Sequence, residues 1–296
     1  MRLIADIGGT HARFGIVDGQ GTLSRVQKLR TADHGSFTAA AHTFLSKSGL
    51  PNVTSVAIAI AGPVRGGAGR LVNGPWRLNL ATLRDLADGG EVRLLNDLQA
   101  AALGTRHCDP VPLAGDRLPD HQRPVLTIGV GTGIGGSLLV PDRSGDQIAV
   151  ATEIGHGLLS TRGLLETDVP FSAEALLSGT GLPQLCRIAG FREGTGSAPE
   201  IIEFLRQATP SALRLGQLYA HLFARFAATA ALTTGATGGV IIVGGLAQRL
   251  FPLLPTATLV SAFHLPGPMQ DWLRDVSICQ VTDDDVALKG LAGMPI

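Results

Sequence analysis

Lysine is nearly missing from this chain of 296 residues: Lys28, Lys47 and Lys289 are its only three, and the other 21 of the 24 basic residues are arginine. No Gly-Lys-Ser/Thr sequence occurs and no lysine lies in a glycine-rich turn. That excludes a Walker A loop and the protein-kinase signatures, both of which bring a lysine to nucleotide phosphates. Charge is scarce as well. Charged residues make up 16% of the chain, against roughly 25% in an average globular protein, and 24 acidic groups balance the 24 basic ones. With no net field to draw a polyanion, nucleic acid is excluded as the main ligand. Cys108, Cys186 and Cys279 are far apart and form no Cys-x-x-Cys pair, which argues against a disulfide scaffold, a zinc site and an oxidising compartment. The N-terminal MRLIADIGG has too short an apolar stretch for a signal peptide and reads as a strand. The longest uncharged run, Phe226 to Ala247, is broken by Gly235, Gly238, Gly239, Gly244 and Gly245, so it reads as a helix end, a turn and a buried strand rather than a membrane span. These absences predict a cytoplasmic protein that binds neither membrane nor nucleic acid.

What the chain does have is apolar material, 45% of it hydrophobic, enough for about two domains of about 150 residues each. Leu3 to Asp18 and Val125 to Asp142 resemble each other. Each is an apolar run, a tight Gly/Thr turn and a second apolar run ending in Asp, the pattern of a hairpin opening each half of the molecule. Further strands are predicted at Ser55 to Ala61, Val92 to Asn96, Val240 to Val243 and Val276 to Val281. Helices are predicted at Ser36 to Lys47, Leu98 to Leu103, Glu174 to Leu177, Pro199 to Ala208, Ser211 to Thr234, Leu246 to Leu254 and Asp285 to Ala292. Such alternation means α/β layers. The Pro- and Asp-rich stretch Asp109 to Arg123 breaks periodicity before the second hairpin and is the candidate interdomain crossing.

Gly131, Gly133 and Gly136 satisfy the dinucleotide fingerprint G-x-G-x-x-G, but a short apolar run stopped at Pro141 comes next, in place of the helix whose N-terminus holds a pyrophosphate. Phosphate binding by backbone amides of the two hairpin turns remains. Gly8, Gly9, Gly131 and Gly133 let the backbone come close, and Thr10 and Thr132 add hydroxyl donors. Ordinary hairpins with glycine at positive-φ positions would look the same one at a time; the pair, with Asp6 ending the first strand, favours phosphate. An Asp there can reach a Mg²⁺ ion or its water shell. Gly244 and Gly245, between a strand and a helix, would let a base or ribose approach the backbone, or form a plain connection.

Asn96 and Asp97 end a predicted strand, where open α/β sheets keep their ligands. Asp97 suits a base there; as an N-cap it would be structural instead. Glu153 and His156 flank Gly155 in an irregular turn and Glu174 opens a helix, among only seven glutamates. Carboxylates and an imidazole converging on a pocket suit a polyol, whose hydroxyls they can accept from and donate to.

Taken in order, Asp-Ile-Gly-Gly-Thr at 6 to 10, Leu-Asn-Asp at 95 to 97, Gly-Thr-Gly at 131 to 133, Glu-Ile-Gly-His at 153 to 156, Ser-Ala-Glu-Ala-Leu-Leu-Ser-Gly at 172 to 179 and Gly-Gly at 244 to 245 resemble the bacterial glucokinases over essentially the whole chain. The resemblance implies the two-lobed actin-like ATPase (ribonuclease H-like) α/β fold with a cleft between lobes. It also implies a small lobe of residues 1–107 plus 284–296 and a large lobe of 108–283. The activity implied is transfer from ATP to the 6-hydroxyl of a hexose, with Mg²⁺. Asp97 then matches the catalytic base; Asn96, Glu153, His156 and Glu174 the sugar ligands; and the turns at 6 to 10 and 131 to 133 the phosphate loops. Asn73 and Trp76 match a segment near the sugar. His11 stands where the family commonly has Asn, and Gly62 where many members have Cys, which leaves open glucose, mannose or fructose. The cysteine-rich zinc motif of the related ROK kinases is missing. A non-catalytic sugar sensor or actin-like ATPase is the rival on the same fold. ATP or polyphosphate as donor, and a homodimer or another assembly, are not readable from the residues.

Overall fold

The computed structural model describes residues 1–50, 52–114, 117–191 and 196–295. The chain divides into two compact units, Met1–Cys108 with Asp285–Ile296, and Asp109–Asp284. The first unit runs β1 (Arg2–Ile7), β2 (His11–Val17), β3 (Leu23–Arg30), α1 (Phe37–Lys47), β4 (Ser55–Ile60), β5 (Val64–Arg65), β6 (Ala68–Arg70), β7 (Arg77–Asn79), α2 (Leu80–Leu86), β8 (Glu91–Asn96) and α3 (Asp97–Gly104). In the second unit the strands are β9 (Val111–Ala114), β10 (Val125–Val130), β11 (Ile134–Pro141), β12 (Gln147–Thr152), β13 (Leu158–Leu159), β14 (Phe171–Ser172), β15 (Gly239–Val243) and β16 (Ile278–Gln280). Its helices are α4 (Ala173–Leu177), α5 (Leu182–Ile188), α6 (Ala198–Arg206), α7 (Pro210–Thr234), α8 (Gly245–Leu250), α9 (Thr256–Phe263) and α10 (Gln270–Asp275). Helix α11 (Val286–Ala292) belongs to the first unit.

The first unit's sheet has the order β3-β2-β1-β4-β8, antiparallel from β3 to β1 and parallel across β1, β4 and β8. Burial follows from the residues: β4 is apolar on both faces and sits inside, whereas β3 is largely exposed at the edge. Phe14 stacks with Phe37 and Phe44 of α1, and Trp76 meets Phe37 edge-on while its indole N–H donates to the His34 carbonyl. Helices α3 and α11 cross at two glycines. A Cβ on Gly104 would overlap the Val286 carbonyl, and one on Gly290 the Ala100 carbonyl. The Arg2 guanidinium donates to the carbonyls of Leu291, Ala292 and Met294, satisfying the C-terminal end of α11.

In the second unit the order is β12-β11-β10-β15-β16-β9, with β10, β15 and β16 parallel. The 25-residue α7 runs through its core, burying Tyr219 and Phe223; Thr209 caps its start and Gly235, at φ +68°, its end. The uncharged stretch Phe226 to Ala247 is therefore a helix end, a turn, β15 and the start of α8, as its glycines predict. Among the described residues no helix is long and apolar enough to cross a membrane. Gly115 and Asp116, within the predicted crossing Asp109 to Arg123, lie outside the described residues.

Candidate active site

Both glycine turns are hairpin turns. In the first, the Gly8 amide donates to the His11 carbonyl (2.9 Å), and buried Thr31 braces the loop by donating its hydroxyl to the Gly8 carbonyl and its amide to the Thr10 carbonyl, each at 3.0 Å. Gly9 lies so close to Asn73 that a Cβ would come 2.8 Å from the Asn73 carbonyl oxygen. In the second, β10 pairs antiparallel with β11, and the Gly131 amide donates to the Gly133 carbonyl. A strand, not a helix, follows Gly136, so the dinucleotide fingerprint is a coincidence of glycines. The Gly179 amide and the Thr180 hydroxyl donate to the Gly131 and Thr132 carbonyls and hold this turn from behind.

Asp6 sits one residue before the end of β1, opposite Arg13 of β2. The Arg13 guanidinium lies 3.9 Å from Asp6 and 3.9 Å from Asp285, the residue before α11. Burial pushes the Asp6 carboxyl up to about 6; Arg13 opposes that rise and Asp285 adds to it. Asp97 is the first residue of α3, directly after β8. Burial pushes it up to about 7 and the charge of Asp6 pushes the same way, against the Leu98 amide, its own amide and the Asn96 side chain, which favour the ionised form. Two carboxylates thus share one end of the sheet in the first unit.

The N-cap of α3 is Asn96, not Asp97. With φ −69° and ψ 151°, Asn96 accepts from the Leu98 amide (2.9 Å) while Gln99 accepts from the Asn96 amide, a capping box. Its side-chain amide also donates to the Gly62 carbonyl (3.1 Å), so Asn96 locks α3 onto the loop after β4. Because Asn96 takes the capping duty, Asp97 keeps a carboxylate oxygen for other chemistry; its Oδ1 accepts from the Leu98 amide.

Glu153, His156 and Glu174 come together in the second unit. The imidazole lies 3.9 Å from a carboxylate oxygen of each glutamate. Glu174 is the most enclosed of the three, 34% exposed against 63% for His156 and 79% for Glu153. Its Oε2 accepts from the Ile134 amide (3.0 Å) and fills the space that a Gly133 side chain would need. Glu174 is therefore fixed to the base of the second turn, with Oε1 left toward His156. Gly244, at φ +107°, has room only for hydrogen, since a Cβ would come 2.5 Å from the Val130 carbonyl oxygen; this brings the start of α8 beside the end of β10 and its turn.

The model of the Glucokinase family matches residues 3–294. The chain belongs to the glucokinase family. It is 31% identical to the glucokinase of Paramagnetospirillum magneticum, over 99% of this chain and 97% of that protein. It superposes on the crystal structure of a glucokinase from an Antarctic psychrotroph with a TM-score of 0.85 at 24% identity, covering 98% of this chain and 97% of that one. It also superposes on a ROK family glucokinase from Streptomyces griseus, solved with glucose and AMPPNP, with a TM-score of 0.65 at 23% identity and 98% coverage of each. The glucokinase fold, α/β in both units, is thereby established. Two elements of the site were not singled out from the sequence. Thr31, which braces the first turn, carried no signal there. The Arg13–Asp285 pair forms only because α11, last in the chain, packs against β1 and β2; an Asp opening the last helix was its one visible trace.

Proposed function

We propose that this protein transfers the terminal phosphoryl group of ATP to the 6-hydroxyl of glucose, with Asp97 as general base. The observation that carries the reading is the Asp97 carboxyl, held at the start of α3 with its pKa raised to about 7. A base poised near neutrality can take the hydroxyl proton as the new P–O bond forms, and phosphoryl transfer otherwise asks mainly for positioning and charge stabilisation. Asn96 and Asn73 in the first unit, and Glu153, His156 and Glu174 in the second, are assigned to the sugar hydroxyls. With the Gly8 and Gly131 amides closing their own turns, the amides of Gly9, Thr10, Thr132 and Gly133 are assigned to the phosphates, and Gly244 and Gly245 to the nucleoside.

A half-buried carboxylate with a second acid nearby and Arg13 between them fits a hard divalent cation, so Asp6 would hold Mg²⁺, directly or through water. When bound, that ion supplies neutralisation of the phosphate charge. Three free thiols, two of them buried and pushed up to about 11, suit the cytoplasm.

The test is Asp97→Asn in an assay of ADP release over a panel of glucose, mannose, fructose and amino sugars. We expect kcat for glucose to fall by about three orders of magnitude while glucose binding, read by calorimetry, survives. Near-normal turnover would remove Asp97 as base, and no turnover by the wild type on any sugar would favour a non-catalytic sensor. Glu174→Gln should raise KM for glucose far more than KM for ATP; equal effects would argue against a sugar contact.

A further inference from the structure

The second glycine turn is held by a clasp whose protons can be counted. Helix α4 ends at Leu177, and the residues after it turn back onto the Gly131–Gly133 loop. The Gly179 amide donates to the Gly131 carbonyl (2.8 Å), and the Thr180 amide (3.2 Å) and hydroxyl (3.1 Å) both donate to the Thr132 carbonyl. A hydroxyl has one proton to give. Since that of Thr180 goes to Thr132, the buried Ser178 hydroxyl must donate to Thr180 Oγ1 (3.1 Å), and Ser178 Oγ accepts in turn from the Gly181 amide (3.0 Å). A one-way relay therefore runs from the Gly181 amide through two hydroxyls to the Thr132 carbonyl, each bond polarising the next. Its base is firm. The buried Tyr219 hydroxyl of α7 donates to the Leu177 carbonyl (2.8 Å), and Gly181 lies so close to α4 that a Cβ would come 2.5 Å from the Glu174 carbonyl oxygen.

What the clasp fixes is the direction of two amides. In a planar trans peptide the carbonyl of one residue and the N–H of the next point opposite ways. With the Gly131 and Thr132 carbonyls both turned back to the clasp, the Thr132 and Gly133 amides both point away from it. Both residues are exposed, and among the described residues neither amide has a hydrogen-bond partner. Successive free N–H groups aimed one way make an anion cradle. Gly133 is its weak point. Glu174 Oε2, held by the Ile134 amide, lies 2.6 Å from where a Gly133 Cβ would be, so a side chain there would displace this glutamate. Glycine, however, also accepts positive φ, which lets the peptide before it flip and turn its amide inward. We propose that Thr180 is a positioning residue for the nucleotide phosphates: its hydroxyl locks the Thr132–Gly133 peptide against that flip and keeps the Gly133 amide aligned with that of Thr132. The proposal rests on the reading that this turn holds phosphate. Thr180 is itself exposed and outside the core, so its hydroxyl can be removed without disturbing the packing.

The test titrates the full chain with AMPPNP and Mg²⁺ by calorimetry and follows ADP release with glucose, for the wild type, Thr180→Val and Thr180→Ser. Valine matches the shape of threonine and lacks only the hydroxyl; serine keeps it. We expect Thr180→Val to bind AMPPNP about fivefold more weakly and to raise KM for ATP by a like factor, with KM for glucose within about twofold of the wild type. Thr180→Ser should stay within about twofold throughout. Ser178→Ala breaks the relay one step earlier: it should weaken AMPPNP binding in the wild-type chain and add nothing in the Thr180→Val chain. Wild-type nucleotide binding by Thr180→Val, equal rises in both KM values, failure of serine to restore binding, or additive effects of the Ser178 and Thr180 changes would each overturn the proposal. The titration needs no catalysis. Binding that depends on the Thr180 hydroxyl in a protein inactive on every sugar would therefore support this proposal and sink the kinase reading, whereas a wild type that binds no nucleotide would sink both.

Discussion

At the scale of single residues, the two raised carboxyls tie activity and stability to pH in opposite directions. Asp97 can accept a proton only when ionised, so kcat/KM for glucose should climb as pH rises and level off above an apparent pKa near the value of about 7 to which burial and Asp6 push it. A flat profile from about pH 5.5 to 8 would show that no such group limits the reaction. For folding, a carboxyl whose pKa is higher in the native state holds its proton longer there than in the unfolded chain. Its contribution to stability is complete below the unfolded value of about 4 and is lost as pH rises through about 6 for Asp6 and about 7 for Asp97. Asp97→Asn removes that ionisation and keeps an oxygen for the Leu98 amide. The variant should melt higher than the wild type at about pH 8, with the gain fading toward about pH 4; scanning calorimetry at both pH values checks it. Such a variant would be more stable and inactive, which is what strain at a reactive group implies.

At the scale of elements, the α3–α11 crossing links the base to the last helix of the chain. Gly290 has the Ala100 carbonyl where a side chain would be, so Gly290→Ala must push α3 away from α11. Overpacking of this kind costs about 1–3 kcal/mol, and the midpoint of urea unfolding should fall accordingly; an unchanged midpoint would mean that the helices separate without cost. The sequence showed that a helix lies here, but not what its glycines touch. Glycine turns between apolar runs made both hairpins legible, and the strand before Asn96 placed Asp97. Strands β3 and β12 both lie at sheet edges: β3 was missed because it is polar and largely exposed, and β12 because its outward-facing Ile148 and Val150 are apolar too, which erases the alternation. Helix α5, with Pro183 in its first turn, and α9 are only about two turns long, too short for a repeat to show. The helix read as Leu246 to Leu254 ends instead at Leu250, where Pro252 forces a tighter 3-10 turn, and the one read to Ala208 ends at Arg206, since Ala208 turns to φ +50°. Pairings such as Arg13 with Asp285 depend on the register of one strand and the docking of a distant helix, which no local pattern encodes.

For the whole molecule, the shortage of lysine has a consequence that reaches past classification. Lys47 ends α1, Lys289 lies on α11 with its ammonium 3.4 Å from the His107 carbonyl, and Lys28 stands on the edge strand β3; none is assigned to the transferred phosphate. In the proposed reaction the phosphate charge is met by turn amides, Thr hydroxyls and the cation at Asp6, and backbone amides carry no side chain that a reagent can modify. Reductive methylation of every amine keeps each positive charge but replaces two of the three N–H donors by methyl groups, so it tests for close lysine contact with phosphate without altering the field. Fully methylated protein should retain kcat and KM for ATP within about twofold, as mass spectrometry and the ADP-release assay would report together. A loss of about tenfold or more would mean that one of the three lysines reaches the nucleotide, and single Lys→Arg replacements would then identify it.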